Sequence, residues 1–210
     1  MEYGYVGKVK QIIKTTLTNI RATDIKQIPK DSIVDLAETY YINTNGNIDS
    51  LLSERVIETG QIFIYLRKFH FENLKRKSWD AFNLENEKLM SGTINWLTEK
   101  QYEEKVFYPG GELKFETVTS LNESFRVFKI LVKSYDQSGD LLQNSMQEFS
   151  FSDLGDIISF KTTNLNDNTT EISKYEYLNK DKVGNPTEIL ITKQSDSSRN
   201  LVRLEYDYFN

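Results

Sequence analysis

The chain has 210 residues, with 31 acidic and 26 basic side chains and a formal charge of −5. A basic excess is typical of nucleic-acid-binding proteins, so this balance argues against nucleic acid as a partner. Cys is absent, which excludes disulfide scaffolds, thiolate metal sites and cysteine nucleophiles. The longest apolar runs, such as 62–66, are far shorter than the ~20 residues that a membrane-spanning helix needs.

The composition favours strands over helices. Tyr and Phe number 12 each, and Ile, Val and Thr are frequent whereas Ala is scarce. Aromatic and β-branched side chains suit a pleated surface. Near the N-terminus, Val9, Ile13 and Leu17 lie on one face of a period-2 pattern, and Lys residues occupy much of the other face.

The same alternation recurs to the end of the chain and predicts about 13 strands. After the first strand, at 9–17, the predicted segments are Ile33–Ile42, Ile48–Thr59, Gln61–Phe71, Leu74–Phe82, Thr93–Tyr108, Leu113–Leu121, Phe125–Tyr135, Leu141–Phe151, Ile157–Leu165, Glu171–Leu178, Thr187–Lys193 and Leu201–Phe209. No change in composition marks a linker, so residues 1–210 are predicted to form a single β-meander domain.

Three turns repeat one pattern: "FYPGGELK" from Phe107, "YDQSGDLL" from Tyr135 and "FSDLGDII" from Phe151. Each has an aromatic residue at position i, Gly at i+4 and an aliphatic residue at i+6. A three-residue hairpin loop explains these offsets, because Gly adopts the left-handed conformation that ends such a loop. The predicted cross-strand pairs are Phe107–Leu113, Tyr135–Leu141 and Phe151–Ile157.

Two further turns look like longer versions of this loop. "YINTNGNI" from Tyr41 has one more loop residue and predicts a Tyr41–Ile48 pair. "YLNKDKVGNP" from Tyr177 is longer again. These patterns are specific for hairpins and carry no chemical information.

Several of these segments resemble a known family. "YDQSGDL", "YINTNGNI" and the closing "LEYDYFN" resemble the YD repeats of RHS-like proteins, in which tyrosine-rich strands alternate with glycine turns. The opening "YGYVGKVKQIIKTTL" is similar to the start of the mature region in RHS-like lipoproteins of Bacteroidetes-type bacteria. The resemblance implies an exported, lipid-anchored β-meander at the periplasmic face or cell surface, and it supplies no catalytic residues.

A search for catalytic chemistry returns no catalytic residue. His70 is the sole histidine, and its side chain points away from Phe69 and Phe71 with no Asp partner nearby in sequence. Asp136 and Asp140 oppose one another across a hairpin, near enough for one pKa to rise, but Asp is also a common turn residue. The other carboxylate clusters are Glu103/Glu104, Glu112/Glu116 and Asp153/Asp156.

No cofactor and no metal site is predicted. The segment 41–52 has some oxygen ligands at the spacing of a calcium loop, but Tyr41 and Leu52 stand where Asp and Glu are required. The weak candidates for ligand binding are therefore aromatic: Trp79, Trp96, Tyr175 and Tyr177. Their rings could stack on a sugar or peptide, or could simply pack in the core.

Together these features predict an all-β antiparallel meander that curls into an open barrel or a superhelical sheet. The predicted function is a non-enzymatic exported or surface-anchored protein that binds a partner, a protein or a glycan, or a ligand on its sheet. One alternative is a lipid or lipoprotein carrier with an open-barrel cavity, and a second is a carboxylate-dependent glycan hydrolase. Contact with a membrane is expected only through a lipid anchor.

Overall fold

The computed structural model describes residues 7–18, 20, 35–56 and 62–209. These residues form fourteen antiparallel strands and, within the described ranges, no helix. Each strand is hydrogen-bonded to its neighbours in chain order, and the first strand pairs with the last, so the sheet is a closed barrel. No helix of the described residues is long and apolar enough to span a bilayer.

The strands are β1 Val9–Leu17, β2 Leu36–Ile42, β3 Ile48–Val56, β4 Ile62–Glu72, β5 Lys75–Phe82, β6 Lys88–Thr98, β7 Gln101–Phe107, β8 Leu113–Leu121, β9 Val127–Tyr135, β10 Leu141–Phe151, β11 Ile157–Asn164, β12 Thr170–Lys180, β13 Pro186–Lys193 and β14 Arg199–Tyr208. Outside the described residues lie part of the opening segment that resembles RHS-like lipoproteins (3–6), the ends of two predicted strands (33–34 and 57–59), the first residue of a third (61) and the last residue of the closing YD-like motif (210).

The predicted all-β antiparallel meander is confirmed, with two corrections. The strand count is fourteen because the predicted segment 93–108 contains a turn at Glu99 and Lys100. This turn has no Gly or Pro, and Thr98 caps it by accepting a hydrogen bond from the Lys100 N–H at 3.1 Å. The sheet is also closed rather than open, which leaves neither β1 nor β14 with an unpaired edge.

The three-residue loops are confirmed. Phe107 pairs with Leu113, Tyr135 with Leu141, and Phe151 with Ile157. Gly111, Gly139 and Gly155 have φ values of 96°, 89° and 82°, the left-handed region that a side chain makes costly.

The two longer loops were predicted wrongly. Ile42, not Tyr41, pairs with Ile48, and Tyr41 pairs with Ser50. The hairpin after β12 closes with Asp181 N–H donating to Asn185 O, so its loop also has three residues. In both turns a polar side chain sets the register: Asn43 and Asp181 each accept hydrogen bonds from backbone N–H groups of their own loop.

The expected apolar face of β1 is interrupted. Ile12 is fully buried, whereas Ile13 is 37% exposed. The pairing with β14 shifts between Val9 and Gln11, which marks a β-bulge. One extra residue reverses the alternation, so Val9 and Ile12 share a face and Ile13 takes the opposite one.

The described residues divide into two compact units. Unit 1 comprises 65–172, and its core lies on β5–β8. Unit 2 comprises the described residues of 7–64 and 173–209. Its buried apolar side chains are Val9, Ile12, Leu17, Ile42, Ile48, Leu51, Leu190, Leu201 and Val202.

Candidate functional site

The core-facing surface of unit 1 is rich in aromatic rings. Six buried side chains form its core: Trp79, Ala81, Ile94, Tyr102, Val106 and Leu121. Six further apolar side chains pack against this core while remaining partly exposed, and we call them the aromatic face: Tyr65, Phe69, Met90, Trp96, Phe115 and Val127. Alternation along each strand brings these residues to one side of the sheet.

Trp79 lies at the centre of this surface and is 1% exposed. Its cross-strand partner is Gly92, and the indole covers the space that a side chain would fill. A Cβ built on Gly92 would lie 2.3 Å from Trp79 Cε2 and Nε1. The glycine therefore allows the ring to lie directly against β6.

A cation and an anion flank the same indole. The Arg67 guanidinium lies 4.0 Å from the Trp79 ring centroid, within cation–π range. At the edge of the ring, the Trp79 Nε1–H donates a hydrogen bond to Glu104 Oε1. Arg67 pairs with the fully buried Ala81, which places it on the core-facing side.

A second cation–ring pair lies nearby on the same surface. The Arg76 guanidinium is 4.4 Å from the Phe69 ring centroid. Trp96 donates its Nε1–H to the Arg76 carbonyl oxygen at 3.0 Å, and its ring packs on Tyr102 at 4.9 Å between centroids. These contacts fix the orientation of Trp96 at the edge of the core.

The structure places the four aromatic candidates in two groups. Trp79 and Trp96 share the core-facing surface of unit 1, Trp79 inside the core and Trp96 in the aromatic face. Tyr175 and Tyr177 follow one another on one face of β12 in unit 2, opposite Ile191 and Ile189. Burial raises the pKa of Tyr175 above its usual value.

Arg67 and Glu104 were missed by the sequence analysis, although the sequence contains a signal for them. Tyr65, Arg67 and Phe69 alternate along β4, and Tyr102, Glu104 and Val106 alternate along β7. In each series a charged residue stands at a core-facing position between apolar ones. Such a position calls for a partner or a ligand, because an isolated buried charge is costly.

His70 does have an acidic partner, contrary to the sequence analysis. Its Nε2 lies 3.2 Å from Asp80 Oδ2 across the β4–β5 hairpin, and Asp80 also pairs with Lys88 at 2.6 Å. The hydrogen bond from Lys88 is the main reason that the pKa of Asp80 is lowered. Ser78 lies directly opposite His70, but no hydrogen bond joins their side chains in the described structure, so the three do not form a catalytic triad.

The turn carboxylate of Asp136 serves as a cap. Asp136 accepts hydrogen bonds from the Ser138 hydroxyl at 2.7 Å and from the backbone N–H groups of Ser138 and Asp140 at 2.9 Å. These bonds lower the pKa of Asp136, the opposite of the rise that a catalytic acid would need. Glu103 and Glu104 are adjacent in β7 and so point to opposite faces of the sheet.

A polar network in unit 2 joins the β12–β13 hairpin to the last strand. Tyr208 donates its hydroxyl hydrogen to Asp181 Oδ2 and accepts from Asn185 Nδ2 at 2.8 Å. Burial favours the neutral form of Asp181, but the bonds from Tyr208 and from three backbone N–H groups outweigh it and lower its pKa. Every polar contact here is internal, so we assign the network a structural role.

Among the described residues, no three His, Asp or Glu side chains converge in a way that could hold a metal ion.

Comparisons with known proteins define the fold. No protein-family model matches the chain, and no curated protein matches it in sequence. A porin-like protein from Bacteroides vulgatus is similar in structure, with a TM-score of 0.57, 10% identity, and coverage of 96% of this chain and 100% of that one. A porin-like protein from Bacteroides uniformis has a TM-score of 0.50 and 10% identity, with coverage of 97% and 98%.

A LolA superfamily protein from Nitrosomonas europaea also aligns over 98% of this chain, but its TM-score of 0.31 is too low to support an argument. The chain is therefore an antiparallel β-barrel protein whose fold is similar to that of porin-like proteins. Its membership of the YD-repeat family stays a prediction.

Proposed function

We propose that this protein is a non-catalytic binding protein that holds an amphipathic ligand against the aromatic face of unit 1. The observation that carries the proposal is the incomplete burial of the rings of Tyr65, Phe69, Trp96 and Phe115 on the core-facing side of the sheet. Rings that already pack on a rigid core lose little freedom when a ligand covers them. Covering their exposed carbon is favourable by about 25 cal/mol per Å².

The polar groups of the same surface support an amphipathic ligand rather than a purely apolar one. Arg67 and Glu104 lie among the aromatic side chains, Arg67 over the Trp79 ring and Glu104 at its Nε1–H. Ligand sites typically combine a mainly apolar lining with a few placed polar groups that fix orientation. A lipid or another molecule with an apolar body and a polar end fits this lining, in keeping with a carrier role.

The face of unit 1 opposite the core carries charged side chains that favour contact with water. Its strands carry cross-strand ion pairs, including Lys133 with Glu116 at 3.1 Å and Lys161 with Glu148 at 3.4 Å. Charged side chains facing lipid would be costly. Together with the porin-like fold and the resemblance to lipid-anchored YD-repeat proteins, this supports a place in the periplasm or at the cell surface, with a lipid anchor.

The binding test uses a neutral fluorescent probe, N-phenyl-1-naphthylamine, whose emission rises in an apolar site. Phe115→Ala should weaken probe binding about tenfold, ~1.4 kcal/mol, because it removes a ring from the aromatic face. Leu131→Ala is the matched control, since Leu131 is 38% exposed on the opposite face of the neighbouring strand. Equal effects of the two substitutions on probe binding would contradict the proposal. Separately, mass spectrometry of extracts from the purified protein would identify a retained ligand.

The absence of catalysis is tested separately. His70→Ala, Asp136→Asn and Asp140→Asn should leave probe binding unchanged, because these side chains lie on the outer face or in a turn. A turnover of glycans, esters or peptides that disappears in one of these variants, with the variant still folded by circular dichroism, would establish an enzyme instead. The same glycans and peptides, tested for binding, would reveal a glycan or protein partner.

A further inference from the structure

We propose that Arg67 binds the anionic group of the ligand, so that the ligand class is an anionic amphiphile with a carboxylate or phosphate end. This inference rests on the proposed function and names the chemistry of the same site. Its basis is the Arg67 guanidinium, which makes no ion pair among the described residues and lies within an aromatic surface.

The surroundings of Arg67 in the described structure are mainly aromatic. Among the described residues its guanidinium makes no ion pair, and its neighbours are the rings of Trp79 at 4.0 Å and Tyr65 at 6.0 Å. Its Nε–H is buried and donates no hydrogen bond within the described structure. A buried donor without an acceptor costs free energy that an incoming oxygen atom recovers.

The chemistry of the guanidinium selects the partner. Arg has five N–H donors in a planar fork that matches the oxygens of carboxylates and phosphates. Stacking on Trp79 fixes the plane in which the fork presents its N–H donors to an oxyanion. The apolar part of the same ligand would then lie on the rings of the aromatic face.

Substitution of Glu104 should change the affinity for anions in the opposite direction to substitution of Arg67. Glu104 accepts the Trp79 Nε1–H at the edge of the same indole, so its charge repels an anion held by Arg67. Glu104→Gln keeps an acceptor oxygen for Trp79 and removes the charge. The two substitutions should therefore change anion binding in opposite directions without a common structural cause.

The experiment measures displacement of N-phenyl-1-naphthylamine by three ligands with the same chain: dodecanoate, dodecyl phosphate and dodecanol. In the unmodified protein we expect at least one anion to compete about tenfold better than dodecanol, which corresponds to one charged hydrogen-bonded contact. Arg67→Gln should bring the anions to the level of dodecanol, and Glu104→Gln should strengthen the anions alone. Lys129→Gln, on the outer face, makes the same charge change as Arg67→Gln and should alter nothing.

The outcomes separate the two proposals. A preference for dodecanoate points to free fatty acids and one for dodecyl phosphate to phospholipid-type ligands, and either supports the inference. Equal competition by all three ligands overturns the anion site while the binding function stands. An equal loss of dodecanol and anion binding in Arg67→Gln also overturns it, and no displacement by any ligand overturns the binding function itself.

Discussion

The pairing of Trp79 with Gly92 shows how one small residue organises the core of unit 1. The indole lies across the glycine and is 1% exposed, with Arg67 on its face and Glu104 at its nitrogen. Gly92, Arg67 and Glu104 all contact the ring in this position. The position of the candidate site therefore depends on the absence of a side chain at residue 92.

Gly92→Ala should destabilise the protein by about 1–3 kcal/mol, because the new Cβ overlaps a rigid ring that has no room to move. It should also weaken probe binding by displacing Trp79. Urea denaturation followed by tryptophan fluorescence measures the first effect.

Gly110→Ala is the matched control. The atoms nearest to a Cβ at Gly110 belong to the carboxylate of Glu112, the end of a flexible side chain, so a loss below about 0.5 kcal/mol is expected. A loss as large as that of Gly92→Ala would show that the close approach to Trp79 is not the cause.

At the scale of elements, one hairpin design recurs. The third loop residue has a positive φ. The residue that begins the turn has a side chain that accepts backbone N–H groups of the turn at Asn43, Asn83, Asn122, Asp136, Ser152 and Asp181, whereas Tyr108 begins the turn that ends at Gly111. Gly occupies that third position at 46, 111, 139, 155 and 184, whereas Asn86 and Phe125 occupy it in two loops that the glycine pattern does not reveal. Asn83 and Asn122 cap those two loops, so the capping residue identifies the turn where glycine does not.

Phe125→Gly should stabilise the protein by about 0.5–1 kcal/mol. Phe125 has a φ of 57° and is 44% exposed, so the substitution relieves backbone strain and removes few packing contacts.

Gly139→Val should destabilise the protein by about 1–3 kcal/mol and Gly139→Asn by less, because a β-branched residue is most strained at this φ. Thermal denaturation measures each change.

Ser124→Gly, in the same loop as Phe125 but without a positive φ, is the control and should not stabilise. Stabilisation by Ser124→Gly as large as that by Phe125→Gly would attribute the effect to general loop flexibility and not to the left-handed conformation.

At the scale of the whole molecule, the strand order closes through the pairing of β1 with β14. Ile12 lies at the middle of this seam, between Tyr206 on β14 and Tyr40 on β2, and is fully buried. Strands from the two ends of the chain must meet here, which makes the seam the most non-local pairing of the sheet.

Ile12→Ala should lower the free energy of unfolding by about 2–5 kcal/mol, because it leaves a cavity at the seam. Ile13→Ala, one residue along and 37% exposed, should cost less than about 1 kcal/mol. Chemical denaturation gives both values. The reverse order would mean that β1 is shifted by one residue against β14, since such a slip exchanges the two faces of a strand.

Most of the strands could be predicted because alternation and turn chemistry are local. Phe107, Tyr135 and Phe151 were paired correctly from the loop geometry alone. The turn at Glu99 and Lys100 was missed because neither residue is typical of turns, and Tyr41 was misplaced because the register follows the cap at Asn43. The exposure of Ile13 was missed because a bulge depends on the partner strand.

Sequence alone determined the strand-rich composition, the antiparallel meander and the three-residue hairpin loops, since each depends on residues close together along the chain. The tertiary structure decided the closure between β1 and β14 and the meeting of Arg67, Trp79 and Glu104. Arg67 and Glu104 stand on strands separated by two others, and only the register across the sheet brings them to the same ring. Alternation along a strand predicts that a side chain faces the core. Which side chains it contacts there is determined by the register between neighbouring strands.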